Sequence, residues 1–153
     1  MHIVLIEPEI PPNTGNVARL CAATNTTLHL IEPFGFKLDD AHLKRAGMDY
    51  WRLVTWHRWP NWAVFAEAQP AGAGLWFIES GGPKLYTEAR FAASDYLVFG
   101  RETAGLPKEL LEEHADRWLR IPMFNPKARS LNLSNCVALV LFEGLRQQGF
   151  EGD

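Results

Sequence analysis

Short apolar runs alternate with polar stretches along this chain, and their lengths predict alternating strands and helices. Runs of four or five largely apolar residues bounded by polar or turn residues are typical of buried strands. The predicted strands cover residues 2–6, 27–31, 53–56, 75–78, 96–99 and 118–121. Helices are predicted over about 15–24, 39–45, 62–68 and 108–114, and from residue 134 onward. Pro8, Pro11 and Pro12 are expected to hold the stretch before the first helix extended.

The order of these elements predicts the fold class. Strand and helix alternate along the whole chain, and no repeat, low-complexity segment or linker interrupts them. This order is typical of an α/β domain with a mainly parallel sheet. The length of 153 residues suits one domain. We therefore predict a single α/β domain over residues 1–153.

The first and last predicted helices distribute their apolar residues differently. Val17, Leu20 and Cys21 form one apolar face on the first helix, so Arg19 should point away from the core, toward solvent or a ligand. Residues 136–142 of the last helix are apolar on all sides. A helix without a polar stripe is buried on more than one side. In so small a domain the second side is most simply a partner subunit, which predicts a homodimer.

The charge of the chain limits the ligands it can take. A net charge of −3 argues weakly against nucleic acid, because phosphate-binding proteins usually carry a basic surplus. A local basic patch is still compatible with this charge. The candidate cations for such a patch are Lys44, Arg45, Arg101, Lys127 and Arg129.

Cysteine and histidine usage predicts neither a disulfide nor a metal site. Cys21 and Cys136 both lie in helix-like apolar runs, which favours buried free thiols. No paired-ligand spacing is present, and the five histidines are scattered, so no metal and no histidine base are predicted. The chain begins directly with a strand, and no apolar run reaches the ~18 residues of a membrane-spanning helix. We therefore expect a cytoplasmic protein with no membrane contact.

Three loops that follow predicted strands hold the candidate functional residues. The first contains Asn13, Thr14 and Asn16 and leads to Arg19; the second covers residues 99–107; the third covers residues 121–135. In α/β proteins ligands bind at the carboxyl ends of the strands. Glycine in the second loop would let a ligand approach the backbone closely. Uncharged polar groups beside Arg129 in the third loop could hold a carboxylate, a phosphate or a sugar hydroxyl at a helix N-terminus.

Each loop also has a purely structural interpretation. Asn13 and Thr14 could cap the first helix, and Gly100 and Gly105 could be turn residues. Glu102 could be a first-turn acid that the helix dipole favours. The alternation of Ser130, Asn132 and Ser134 with Leu131 and Leu133 could be an extended lead-in to the last helix. The phosphate-binding pattern GxxxxGK[ST] is absent, and so is GxGxxG after the first strand, which weakens a nicotinamide or flavin interpretation.

Taken together, the three loops resemble the motifs of the SPOUT, or α/β-knot, methyltransferases. The chain is most similar to the small tRNA 2′-O-ribose methyltransferases of the TrmL (YibK-like) type. The resemblance rests on residues 6–16 with Arg19-Leu20-Cys21, on residues 99–107, and on Ile121-Pro122-Met123 with residues 130–135. It covers nearly the whole chain. Arg101 stands where the family can have a proline, and Phe142 where it can have a tyrosine; the latter puts any role for a hydroxyl in the last helix in doubt.

The resemblance implies a fold, a cofactor, a substrate and a set of site residues. It implies a C-terminal trefoil knot, a homodimer, S-adenosylmethionine as methyl donor, and methylation of the wobble cytidine or modified uridine of leucine tRNAs. The cofactor-binding positions it implies are Ile78, Gly100, Ile121, Ser130 and Leu131. The positions it implies for the catalytic side of the site are Arg19, Asn13, Glu102 and Asn132.

The implied reaction is an attack by a ribose 2′-hydroxyl on a sulfonium methyl group, which needs alignment above all. Arg19 is the candidate for stabilising the forming alkoxide and orienting a substrate phosphate. Arginine stays protonated, so a phosphate or water would accept the proton. The alternatives are another RNA target such as ribosomal RNA, an RNA-binding protein that holds the cofactor without catalysis, and a nucleotide-dependent oxidoreductase.

Overall fold

Seven parallel strands form one sheet in the computed structural model of the chain, which describes residues 1–34, 36 and 49–153. The strands are β1 (His2–Ile6), β2 (Thr27–Ile31), β3 (Trp56–Trp59), β4 (Leu75–Ile78), β5 (Lys84–Leu85), β6 (Tyr96–Phe99) and β7 (Trp118–Arg120). Their order across the sheet is β3-β2-β1-β6-β4-β7-β5, and every neighbouring pair is parallel. The predicted α/β class with a parallel sheet is confirmed.

Helices cover both faces of this sheet. They are α1 (Pro11–Ala23), α2 (Trp62–Ala68), α3 (Lys108–Glu113) and α4 (Leu133–Gln147), with 3₁₀ turns at Asp49–Arg52, Tyr86–Glu88 and Ala115–Arg117. Ile3 and Leu5 of β1 pack in the core with α1 and α4, whereas Val4 and Ile6 pack with α2 and α3. Successive strand side chains point to opposite faces, so an apolar strand buried on both sides needs a helical layer on each. None of the helices described is long and apolar enough to cross a membrane.

The first helix begins four residues earlier than predicted. Pro11 and Pro12 are its first residues, and Ile10 is the N-cap, with no side-chain capping bond. Proline is well suited to the first turn of a helix, because no intrahelical partner exists there for the missing N–H. Asn13 and Thr14 therefore lie inside the first turn of α1, and the interpretation of these residues as caps is wrong.

Two edge strands also differ from the prediction. The strand predicted at 53–56 lies at Trp56–Trp59, where half-exposed tryptophans flank the exposed His57 and Arg58. An edge strand needs no continuous apolar run, so the pattern was weak there. Strand β5 has only two residues and was not predicted. The predicted helix over 39–45, with Lys44 and Arg45, lies outside the described residues.

The strand order determines which loops meet. Strands β1, β6, β4 and β7 are neighbours, and in a parallel sheet their carboxyl ends lie at the same edge. The loops after β1, β6 and β7 are the three loops singled out in the sequence, and the loop after β4 lies between the last two. The C-terminal trefoil knot that the resemblance implies stays a prediction.

Candidate functional site

Two loops at this edge of the sheet differ in how firmly they are attached to the rest of the protein. The pinned loop is residues 100–107, between β6 and α3. The open loop is residues 121–131, between β7 and α4. Strand β4 separates them in the sheet: Ile78 pairs with Phe99 on one side and with Leu119 on the other. The ends of β6, β4 and β7 therefore form a continuous floor between the two loops.

A reciprocal pair of glutamates ties the pinned loop to the segment before α1. The carboxylate of Glu102 accepts hydrogen bonds from the backbone N–H of Glu9 at 2.8 Å and of Ile10 at 3.1 Å. In return, Glu9 accepts hydrogen bonds from the backbone N–H of Thr103 at 3.1 Å and from its hydroxyl at 2.7 Å. Arg101 lies 3.5 Å from the second Glu9 oxygen. The bonds from Thr103, aided by the Arg101 charge, lower the pKa of Glu9.

The glycines of the pinned loop serve the loop's own packing. Arg101 and Gly105 exchange backbone hydrogen bonds, and Gly105 has a φ of 67°, in the left-handed region. A Cβ atom at Gly100 would overlap the backbone of Gly105 and Leu106. The Leu106 N–H also donates to Glu79 at the end of β4, at 2.8 Å. The space that a side chain at Gly100 would occupy is therefore filled by the chain itself, so the loop's own packing requires glycine there. The approach of a ligand to the Gly100 backbone stays a prediction.

Two asparagines join the start of α4, directly after the open loop, to α1. The side-chain amide of Asn132 donates to the Asn13 side-chain oxygen at 3.0 Å, and the Asn132 oxygen accepts from the Ser134 N–H at 2.9 Å, capping α4. Asn13 is only 7% exposed. Next to it, the Thr14 hydroxyl is fully buried and has no hydrogen-bond partner among the described residues. The second predicted loop is therefore joined through Glu102 to the segment just before α1, and the third is joined through Asn132 to Asn13 of the first.

Arg19 lies apart from these contacts. It is exposed, as predicted, and its guanidinium carbon lies 4.9 Å from the centre of the Tyr50 ring. It lies six positions after Asn13, about 9 Å along a helix at roughly 1.5 Å per residue. The structure joins Asn13 directly to Asn132 and ties Glu102 to the backbone just before α1, but it leaves Arg19 further along that helix. Tyr50 was missed, because nothing in its local sequence indicates a contact with a residue 31 positions earlier.

The open loop presents most of its groups to solvent. Its internal backbone bonding, among the described residues, consists of one bond from the Ala128 N–H to the Asn125 carbonyl at 3.1 Å. Ser130 is exposed and Leu131 is 40% exposed, whereas Ile121 is half-buried and Ile78 is buried at its strand end. Free backbone donors and acceptors beside apolar side chains match the edge of an adenine and a ribose. The residues present thus fit the nucleoside part of S-adenosylmethionine.

A separate cleft lies at the same edge of the sheet, between α2 and α3. It has a volume of about 450 Å³ and is lined by Ile6, Glu7, Ile31, Glu32, Pro33, Pro60, Asn61, Trp62, Pro107, Glu109, Leu110 and Glu113. None of the predicted site residues lines it. Its four carboxylates would repel a phosphate backbone, so this cleft is not the RNA site that the sequence predicts.

The thiols are not functional candidates. Cys21 is buried and Cys136 half-buried, and both are free. Burial raises the pKa of Cys21 to about 12. The pKa of Cys136 is raised to about 11, and burial is again the main cause. Both side chains are therefore neutral near pH 7, as the prediction of buried free thiols requires.

Comparison with known proteins agrees with this geometry. The chain is 52% identical over 154 residues to the tRNA (cytidine(34)-2'-O)-methyltransferase of Saccharophagus degradans, covering 99% of this chain and 97% of that protein. It is 46% identical, with a TM-score of 0.91, to a solved structure described for the 2-OH methylation of C/U34 on tRNA, covering 98% and 97% of the two chains.

A more distant structure is the AdoMet-bound rRNA methyltransferase of Sinorhizobium meliloti, with 26% identity and a TM-score of 0.82 over 95% of this chain and 55% of that one. Residues 1–142, which include all three loops and most of α4, match the SpoU rRNA Methylase family. The loops predicted to meet are thus the loops of a shared fold, and the chain belongs to the SpoU rRNA Methylase family.

Proposed function

We propose that this protein transfers a methyl group from S-adenosylmethionine to the ribose 2′-hydroxyl of nucleotide 34, a cytidine or a modified uridine, in tRNA. The observation that carries the proposal is the meeting of three loops at one sheet edge, where Glu102 and Asn132 join the second and third of them to the start of α1. The names of relatives near 50% identity support the position and the chemistry. A preference for leucine tRNAs, which the resemblance implies, is part of the proposal.

The open loop and the ends of β4 and β6 would hold the cofactor. Leu131 and Ile121 offer apolar contact for the adenine, Ser130 offers a hydroxyl, and the strand ends at Ile78 and Gly100 offer backbone groups. When bound, S-adenosylmethionine supplies a methyl group already activated by a sulfonium leaving group. The chain's own task is to align that group with the acceptor, because orientation alone can contribute several kcal/mol to catalysis, on the order of 7–11 in well-aligned cases.

Arg19 would act on the acceptor side. Its guanidinium is exposed and packs on the Tyr50 ring. It forms no ion pair with any described residue, so its charge is available to a substrate. A cation placed there can stabilise negative charge that develops on the 2′-oxygen and can orient a neighbouring phosphate. Asn13 and Asn132 bond to each other and Glu102 bonds to the backbone before α1, so their proposed role is to position the site.

A homodimer is part of the same proposal. Leu139 and Phe142, one helical turn apart on α4, are 42% and 47% exposed, and Ile10 before α1 is 42% exposed. Val137, Val140 and Leu141 on the same helix are fully buried within one chain. The all-apolar helix thus leaves one side uncovered, as a subunit interface requires. A cytoplasmic location, where tRNA is found, is also proposed.

The test is transfer of tritiated methyl from S-adenosylmethionine to purified tRNAs. We expect label in a leucine tRNA with cytidine 34 and none in the same tRNA carrying a 2′-deoxy nucleotide 34. Label in ribosomal RNA instead would favour the alternative RNA target. Binding of the cofactor and tRNA without transfer would identify a non-catalytic binder, and calorimetric binding of NAD in place of S-adenosylmethionine would identify an oxidoreductase.

A further inference from the structure

Phe124, in the open loop, is the most exposed of the large apolar side chains described. It is 94% exposed, whereas the other exposed residues of this kind range from 36% to 72%. Met123 beside it is 36% exposed, and Leu131 at the end of the loop is 40% exposed. Most of the Phe124 ring therefore has no contact with the part of the chain that the structure describes, although it lies in the loop that carries three proposed cofactor contacts.

The charge of the surrounding segment indicates what this ring would meet. Residues 117–142 contain Arg117, Arg120, Lys127 and Arg129 and no aspartate or glutamate, in a chain whose net charge is −3. Lys127 and Arg129 are exposed in the same loop as the ring. A segment whose formal charges are all positive attracts a polyanion, even in a protein with a net negative charge. The acidic cleft between α2 and α3, at the same edge of the sheet, would repel such a polyanion through its four carboxylates.

An exposed aromatic ring beside cations is the arrangement that binds single-stranded nucleic acid. The cations contact the phosphates, and the ring stacks on a base whatever its identity. RNA loops are recognised in this way, because their bases can be splayed out and stacked on aromatic side chains.

We propose that Phe124 stacks on an unpaired base of the RNA substrate, next to the nucleotide whose ribose is methylated, while Lys127 and Arg129 contact the flanking phosphates. This inference rests on the proposed function, since it takes RNA as the substrate. It adds a positioning residue that has no polar chemistry of its own. Stacking would fix the loop conformation of the RNA and so deliver the 2′-hydroxyl to the site.

The experiment compares Phe124→Ala, Phe124→Leu and Phe124→Trp with the parent protein. Filter binding gives the Kd for a leucine tRNA, and single-turnover transfer gives the rate at saturating tRNA. Stacking is worth ~1–3 kcal/mol per base by alanine substitution, so Phe124→Ala should weaken tRNA binding by about tenfold. Phe124→Trp should stay within about twofold of the parent, and Phe124→Leu should resemble the alanine variant, because leucine is apolar but has no ring to stack.

Phe150→Ala is the matched control, since Phe150 is a second exposed phenylalanine, 47% exposed and outside the open loop. It should leave the Kd for tRNA unchanged. Cofactor affinity by calorimetry, melting temperature and dimer mass by light scattering should be the same for all Phe124 variants. Parent-like tRNA binding by Phe124→Ala, or equal loss in the alanine and tryptophan variants, would overturn the stacking role.

A shift toward monomer in Phe124→Ala would also overturn it, by showing that the ring contacts a second copy of the chain. Failure of the parent protein itself to bind or methylate tRNA is a separate result: it removes the proposed function, and the stacking proposal falls with it. A parent that methylates tRNA alongside an unaffected Phe124→Ala removes the stacking proposal alone.

Discussion

The pinned loop and the open loop follow strands on either side of β4, yet they use their polar groups in opposite ways. The pinned loop is held by Glu9, Glu79 and Glu102 through hydrogen bonds to backbone and side chain. The open loop leaves most of its backbone and nearly all its side chains exposed. Polar groups already bonded within the protein stabilise it, whereas exposed ones are available to a ligand. The pinned loop is therefore held as a scaffold, and the open loop has the free groups that the proposed binding surface needs.

The largest expected effect is the loss of stability caused by a substitution in the pinned loop. Gly100→Val places a branched side chain against the backbone of Gly105 and Leu106, where there is no space. We expect the free energy of unfolding to fall by about 3 kcal/mol, the upper part of the range for overpacking. Urea denaturation measures this change.

Ala128→Val adds similar bulk to the open loop and is the control, expected to change stability by less than about 0.5 kcal/mol. Equal effects of the two substitutions would show that the loops do not differ in the way described.

Arg19→Ala tests whether an exposed residue of the proposed site contributes to methyl transfer and little to stability. Losing the contact with Tyr50 should cost no more than about 1 kcal/mol of stability, the usual value of an exposed cation–π pair. Methyl transfer should fall by on the order of a hundredfold if Arg19 stabilises charge on the 2′-oxygen. Single-turnover transfer, thermal melting and cofactor titration separate the two effects.

Arg19→Lys is the matched variant and should restore transfer only in part, because lysine lacks the planar fork of arginine. Near-parental transfer by the alanine variant would remove Arg19 from the mechanism, and a large loss of stability would make it a structural residue.

Glu102→Ala should reduce stability more than Glu102→Gln does. The alanine variant leaves the backbone N–H groups of Glu9 and Ile10 without their acceptor, at a cost of about 1–2 kcal/mol at this half-buried position. The glutamine variant keeps one acceptor oxygen, so we expect about half that loss. Denaturation at pH 7 measures both. Wild-type stability with abolished transfer in Glu102→Ala would instead place this carboxylate in direct contact with the substrate.

The smallest expected effect is the pH dependence of the Glu9 bonds. The pKa of Glu9 is lowered in the folded protein, chiefly by its hydrogen bonds from Thr103. The stability that its ionised form contributes is therefore present above the ordinary value of 4.5 and is lost as the pH falls through the lower, folded pKa. Glu9→Gln should be less stable than the parent at pH 7, and the difference should shrink below pH ~4. A difference that does not vary with pH would rule out this charge as its source.

The local pattern predicted the buried elements well and the edges poorly. Strands β1, β2, β4 and β6 have the predicted bounds, because a strand buried on both faces is apolar throughout. Strand β3 and the two-residue β5 lie at the edges, where exposed residues weaken the pattern. The start of α1 was missed because proline was taken as a sign of extended chain, although its fixed φ also suits a first helical turn.

The sequence by itself determined the apolar strands, the three polar loops and the family to which they belong, since each is a property of neighbouring residues. Only the tertiary structure decided what the polar residues do. Glu102 reaches a residue 93 positions away and Asn132 one 119 positions away, and no local signal records such a pairing. The placement of β6 between β1 and β4 brings these partners together. It therefore decides which carboxylates and amides are bonded within the protein and which groups of the open loop remain for a ligand.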